Sequence, residues 1–225
     1  MKKNILFLKR VIDFLVSLIS VLILMPLMLI IAILIKLQSN GPVFFTQTRV
    51  GKLGTFFKIY KFRTMHIGAG EVRNGLQVSS GDPRITKLGT LLRKTSLDEL
   101  PQLFNVLKGD ISIVGPRPAL PEQLHYYSDY QMTRLKMRPG ITGWATVNGR
   151  CSIPWSERIA LDIFYIENFS LWLDAKIVIR TFSVVLLGQN TYYDSKNAPA
   201  FDLCDPFDLP QSGIIKVKDK KDGNR

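Results

Sequence analysis

Arg93-Lys94-Thr95-Ser96-Leu97-Asp98-Glu99-Leu100-Pro101-Gln102, then Phe104-Asn105-Val106-Leu107-Lys108-Gly109-Asp110, then Val114-Gly115-Pro116-Arg117-Pro118, form the stretch around which this chain is organised. Its spacing predicts a helix beginning near Asp98, a turn at Gly109-Asp110 and a short buried strand over 111–114. Two adjacent carboxylates, Asp98 and Glu99, sit at its centre, preceded by Arg93 and Lys94 and followed by Arg117.

Two readings of the acidic pair stand side by side. In the first it caps a helix. Ser96 to Glu99 fits a capping box, or Asp98 is itself the cap with Pro101 in the first turn. In the second it does phosphate chemistry. A carboxylate near Arg93 stays ionised because the opposite charge lowers its pKa. An ionised Asp can attack phosphorus and hold a covalent phosphoryl group. Two anions would repel an incoming diphosphate, so that reading needs cations and a divalent metal on oxygen ligands. Arg93, Arg117 and Arg150 are the candidate cations.

The chain has 225 residues and a net charge of +12, so its natural partners are anionic. Up to Gly70 there are ten Lys or Arg and one acid, Asp13. That basic block brackets the one long apolar run, 14–35, which carries no charge over 22 positions. About 20 apolar residues cross a bilayer, so this is a membrane helix, too long for a signal peptide. Pro26 sits mid-run and should break or kink it. Lys2, Lys3, Lys9 and Arg10 lie before the run and Lys36, Arg49, Lys52 and Lys58 after it, so both ends favour the cytoplasm. A re-entrant segment satisfies both ends, while a straight span misplaces one. The two cysteines, Cys151 and Cys204, make no disulfide framework and fit a reducing compartment.

Segments 41–49 and 55–65 are rich in β-branched and aromatic residues and separated by Gly51-Lys52-Leu53-Gly54, which predicts a β-hairpin. Gln47, Arg49, Lys58, Lys61 and Arg63 decorate it, as a solvated basic face or as a phosphate cradle. A Gly/Ser loop is expected over 66–81. Asp82-Pro83 should open a helix. A surface helix is expected over 121–137, a loop into strand at 139–144, and helices over 154–168 and 170–187. The last of these is a core helix or an interfacial one. The residues thus describe an α+β fold in three parts: 1–40 (basic lead and Pro26-broken membrane helix), a cytoplasmic domain over 41–187, and a tail over 188–225.

Several chemistries find no support. There is no Gly-x-Gly-x-x-Gly, no Walker-type loop, no Asp-x-Asp and no zinc ligand set. His66 and His125 are the only histidines, a poor basis for a histidine relay. The aromatics lie in apolar runs rather than on a base-stacking platform, so nucleic acid is not an expected partner. A basic membrane scaffold without catalysis is the alternative, and it would leave the Asp-Glu pair without a role.

Lys61-Phe62-Arg63-Thr64-Met65, Ser96 to Leu103, Asn105 to Asp110, Val114 to Pro118 and Pro139-Gly140-Ile141-Thr142-Gly143-Trp144 together resemble the bacterial sugar transferase family, the monotopic polyprenol-phosphate phosphoglycosyl transferases. The likeness runs from about Lys9 to about Leu187 and looks like the minimal form, without a preceding four-helix membrane domain. It implies transfer of a sugar 1-phosphate from a UDP-sugar to a polyprenol phosphate (undecaprenyl phosphate) at the bacterial inner membrane, with release of UMP. Asp98 matches the family's nucleophile and Glu99 its partner acid. Mg²⁺ is implied at Asp98 and Glu99. Arg93, Arg117, Arg150, Lys61 and Arg63 are the implied phosphate-binding set. The membrane segment matches a re-entrant helix, and a homodimer is compatible with the resemblance. In two places the chain departs from the family's usual pattern. Met25 stands where members often carry Ser before the proline, and Thr146 where they often carry Gln.

Overall fold

The computed structural model describes residues 3–68, 82–149 and 153–186. Arg150, Cys151, most of the expected Gly/Ser loop and the whole of 188–225, Cys204 included, lie outside the described residues.

The uncharged run folds as part of α1 (Lys3–Gln38), and helical backbone continues through Pro26. The proline therefore does not end the helix, and re-entry needs a bend there rather than a break. Among the described residues α1 is the one helix long and apolar enough to cross a membrane. Its buried residues, Lys9, Asp13, Ser17, Val21, Met28, Ile31 and Ile35, form a single stripe. The remaining apolar surface is bare, with Ile23 and Leu37 exposed by 70% and 79%. Hydrocarbon, not water, stabilises such a helix, so α1 associates with a membrane.

Both halves of α1 dock on the same domain. At the near end Lys9 pairs with Asp174 at 2.5 Å, and the Tyr165 hydroxyl donates to that carboxylate at 2.6 Å. Asp13 accepts from the Ser112 hydroxyl at 2.6 Å. At the far end Met28, Ile31 and Ile35 share an apolar cluster with Phe62 and Leu92.

The hairpin forms as expected. β1 (Phe44–Val50) pairs antiparallel with β2 (Phe56–Phe62), placing Phe45 opposite Lys61, Gln47 opposite Ile59 and Arg49 opposite Phe57. Side chains alternate across a strand, so Gln47, Arg49 and Lys61 share one face. The free edge of β2 is occupied by one side chain. Asn105 donates to the Lys58 carbonyl at 2.7 Å and accepts from the Tyr60 N–H at 3.0 Å. That amide stands in for a third strand and locks α3 (Gln102–Lys108) to the hairpin. β3 (Ser112–Val114) pairs in parallel with β4 (Gly140–Thr142). A Cβ on Gly140 would stand 2.1 Å from the Gly115 nitrogen, so this crossing requires glycine. α4 (Trp144–Val147), α5 (Trp155–Glu167) and α6 (Leu171–Leu186) complete the fold, which is mixed helix and sheet.

Three local expectations are corrected. The helix after Asp82 begins later, as α2 (Lys87–Lys94), capped by the Thr86 hydroxyl on the Gly89 N–H at 2.9 Å. Asp82 instead closes a turn on Arg84 at 2.6 Å. The surface helix over 121–137 is two 3₁₀ segments, Pro121–Tyr126 and Gln131–Lys136. Ser128 and Gln131 cap each other reciprocally and start a new turn between them. Finally, no helix begins at Asp98. Leu97–Glu99 is a 3₁₀ turn and α3 follows it.

α2 lies directly on the strand-end backbone: a Cβ on Gly89 would meet the Thr64 carbonyl oxygen at 2.1 Å. Gly89→Ala should therefore lift α2 off its seat and lower stability by about 1–3 kcal/mol, the usual penalty for overpacking. Thermal unfolding in detergent measures it, and an unchanged midpoint would show that α2 shifts freely.

Candidate active site

Asp98 is delivered by an uncommon backbone turn. α2 ends at Lys94, and Ser96 takes a left-handed conformation, φ 57°, that swings the chain into Leu97–Glu99. Neither Ser96 before the 3₁₀ turn nor Pro101 before α3 makes a side-chain capping hydrogen bond. Ser96 therefore does not act as the cap. Asp98 is buried, 8% exposed, in a polar setting.

That setting comes from the hairpin and from α2. Lys61 pairs with Glu99 at 2.6 Å. Arg93 hooks its Nε onto the Thr64 hydroxyl at 2.8 Å, which fixes its guanidinium near the acidic pair. Burial pushes the Asp98 carboxyl up to about 6, and the charge of Glu99 adds to the rise. Lys61 and Arg93 pull it down without prevailing. The expectation that Arg93 keeps this pKa low is thus corrected, because withdrawal from water outweighs the neighbouring cations. At neutral pH the group is still mostly ionised, since pH 7 lies above its pKa.

The remaining expected residues divide. Arg117 is exposed, and its backbone carbonyl accepts from Arg134 at 3.0 Å. Arg63 is placed elsewhere. It donates to the carbonyls of Ser39 and Asn40 and to the Ser39 hydroxyl, each at 2.8 Å, closing the C-terminal end of α1. Its fork is engaged there, so Arg63 clasps the end of α1 to the hairpin. Arg150 lies outside the described residues.

The basic hairpin face also brings Arg49 into these surroundings. Arg49 donates to Gln47 at 2.7 Å and to the Pro118 carbonyl at 3.2 Å, and its Nε is buried without a partner. Burial, then the like charge of Arg117, brings its guanidinium down to about 10, while Glu99 pulls the other way. Arg49 therefore lies within electrostatic reach of both Glu99 and Arg117. The signal was in the hairpin alternation, which puts Arg49 on the Lys61 face.

Among the described residues no group of three or more His, Cys, Asp or Glu side chains could form a metal cage. Asp98 and Glu99 supply a two-carboxylate donor set. That fits Mg²⁺, which is commonly held by one or two carboxylates together with substrate phosphates and water.

A site of buried carboxylate, partner acid and convergent cations suits transfer of a phosphoryl group. The family model for "Bacterial sugar transferase" matches residues 4–188 of this chain. The chain belongs to the bacterial sugar transferase family. It is 46% identical over 189 residues to the UDP-N-acetylgalactosamine-undecaprenyl-phosphate N-acetylgalactosaminephosphotransferase of Aeromonas hydrophila, covering 81% of this chain and 44% of that protein. It is 40% identical over 195 residues to the undecaprenyl-phosphate glucose phosphotransferase of Komagataeibacter xylinus, covering 82% of this chain and 37% of the relative. The exopolysaccharide production protein ExoY of Rhizobium meliloti is 37% identical over 198 residues, covering 82% of this chain and 88% of ExoY. The chain thus spans less than half of the first two relatives and most of the third.

Proposed function

We propose that this family member transfers a sugar 1-phosphate from a UDP-sugar to undecaprenyl phosphate, releasing UMP, in two steps through Asp98. The observation that carries the reading is one buried carboxylate, its pKa raised to about 6, beside Glu99, Lys61 and Arg93. In the first step a carboxylate oxygen of Asp98 attacks the sugar-bearing phosphorus. The bond to the UMP oxygen breaks and UMP leaves with the electron pair. In the second step an oxygen of the polyprenol phosphate attacks the same phosphorus and Asp98 leaves as carboxylate. Two half-reactions let a soluble donor and a lipid acceptor use one site in turn.

Arg93, Arg117 and Arg49 balance the diphosphate charge, and Lys61 holds Glu99 beside Asp98. Asp98 and Glu99 would hold Mg²⁺, which would supply charge stabilisation to the phosphates. α1 enters the cytoplasmic leaflet and returns, bent at Pro26, which leaves the site facing the cytoplasm. The basic flanks and the docking of both helix halves on one domain support that topology. The relatives' names specify different sugars, so the sugar is set by experiment.

UMP release from a panel of UDP-sugars, with Mg²⁺ and undecaprenyl phosphate, tests the proposal. One donor should give release, and the phosphosugar should be trappable on Asp98 when acceptor is omitted. Transfer without a trappable adduct would replace the two steps by direct displacement.

A further inference from the structure

We infer that the foot of α1 carries a second anion site, away from Asp98, that takes the phosphate headgroup of a membrane lipid. A cavity of about 30 Å³ lies there, and its lining includes Lys9, Arg10, Lys52, Lys136 and Arg138 with a single acid, Asp13. A space of that size admits a water-sized group such as a phosphate oxygen.

Part of this charge has a structural role. Lys9 is paired with Asp174. Arg10 donates to the Val106 and Leu107 carbonyls, and Arg138 to the Gly109 carbonyl, so these two close the C-terminal end of α3. That role leaves Lys52 and Lys136 unexplained. They come from the hairpin turn and the second 3₁₀ segment, and both line the same cavity. Among the described residues Arg10, Lys52, Lys136 and Arg138 are in no ion pair. Arg10 and Arg138 also stand close enough to repel each other. Asp13 and Asp110 offset part of the charge on Arg10, and the excess of cations that remains around the cavity suits an anion from outside.

The depth of the cavity says which anion. Lys9 and Arg10 lie one turn before Phe14, where the uncharged run begins. With α1 in the membrane, that turn is at headgroup level, where anionic lipid phosphates concentrate. Leu53, next to Lys52 in the chain, and Phe7, one turn before Arg10, are 74% and 72% exposed, apolar surface suited to the acyl boundary. The site rests on the membrane association of α1 and not on the transfer reaction.

The test uses the full chain in uncharged detergent and reads the thermal midpoint against dihexanoyl phosphatidic acid below its micellar concentration. Dihexanoyl phosphatidylcholine and inorganic phosphate are the controls. Phosphatidic acid should raise the midpoint in a saturable way, and neither control should match it. Lys52→Glu with Lys136→Glu should weaken that binding about 30-fold or more, each lost charge being worth roughly a factor of five. The Lys52→Arg, Lys136→Arg variant should keep it. An equal response to inorganic phosphate would overturn the lipid assignment. An undiminished response in the Glu variant would overturn the site.

Discussion

Asp98→Asn is expected to abolish UMP release and, in the substrate-free protein, to raise stability. The first effect is loss of the nucleophile, which should lower kcat by roughly 10³-fold or more. The second follows from burial. The carboxyl titrates near 3.8 when exposed and at about 6 in the fold, so the folded protein holds the proton more tightly than the unfolded chain. The sign of the linkage is then fixed. Asp98 is neutral in both states below about 3.8, its ionisation destabilises the fold increasingly up to about 6, and the penalty is constant above that. Two units correspond to on the order of 3 kcal/mol at pH 7.5. The amide removes the charge and keeps the shape. Its thermal midpoint in detergent with EDTA should exceed wild type at pH 7.5, and the gap should shrink at pH 5. A lower midpoint for the variant at pH 7.5 would mean that the carboxylate is held by favourable contacts, as a cap would be. UMP release by wild type should also fall as pH drops through about 6, because the anion is the nucleophile, and bound Mg²⁺ should move that limb lower.

What the residues disclosed in order, and what they did not, follows from how far each feature reaches along the chain. The hairpin was legible because its alternation and its Gly51-Gly54 turn are local. So were the uncharged run of α1 and the apolar periodicity of α6. The surroundings of Asp98 were not, since the burial that sets its pKa comes partly from a hairpin some forty residues upstream. The clasp that Arg63 makes was hidden for the same reason. Arg63 shares the Lys61 segment, but its partners at Ser39 and Asn40 end a helix that sequence spacing does not bring near. For Arg49 the choice between solvated face and phosphate cradle stays open in the sequence, because a basic hairpin face looks solvated until the 117–119 segment covers it, with Val50 bridging Ala119. The missed 3₁₀ segments reflect a tie that propensity does not resolve. Ser128 and Gln131 satisfy each other and cut a helical pattern in two.

The buried pair beneath Arg117 should show the largest stability loss of any single change outside the site. Arg134 and Asp162 are 5% and 1% exposed and bonded to each other, and Arg134 also donates to the Tyr127 hydroxyl at 2.5 Å and to the Arg117 carbonyl at 3.0 Å. Removing one partner strands the other charge away from water, which costs about 3–5 kcal/mol. Arg134→Met and Asp162→Leu should each lower the thermal midpoint sharply. Removing both strands nothing, so the double variant should recover most of the loss, and an additive double variant would disprove the coupling. Activity separates two roles for the pair. In the double variant the Arg117 carbonyl still lacks its donor, and the segment that presents the Arg117 guanidinium loses its anchor. Recovered stability with a raised KM for the UDP-sugar would make Arg134 a positioning residue for Arg117. Recovered stability with recovered activity would make the pair scaffold alone, and Arg49, through its bond to Pro118, would then be what holds that segment against the site.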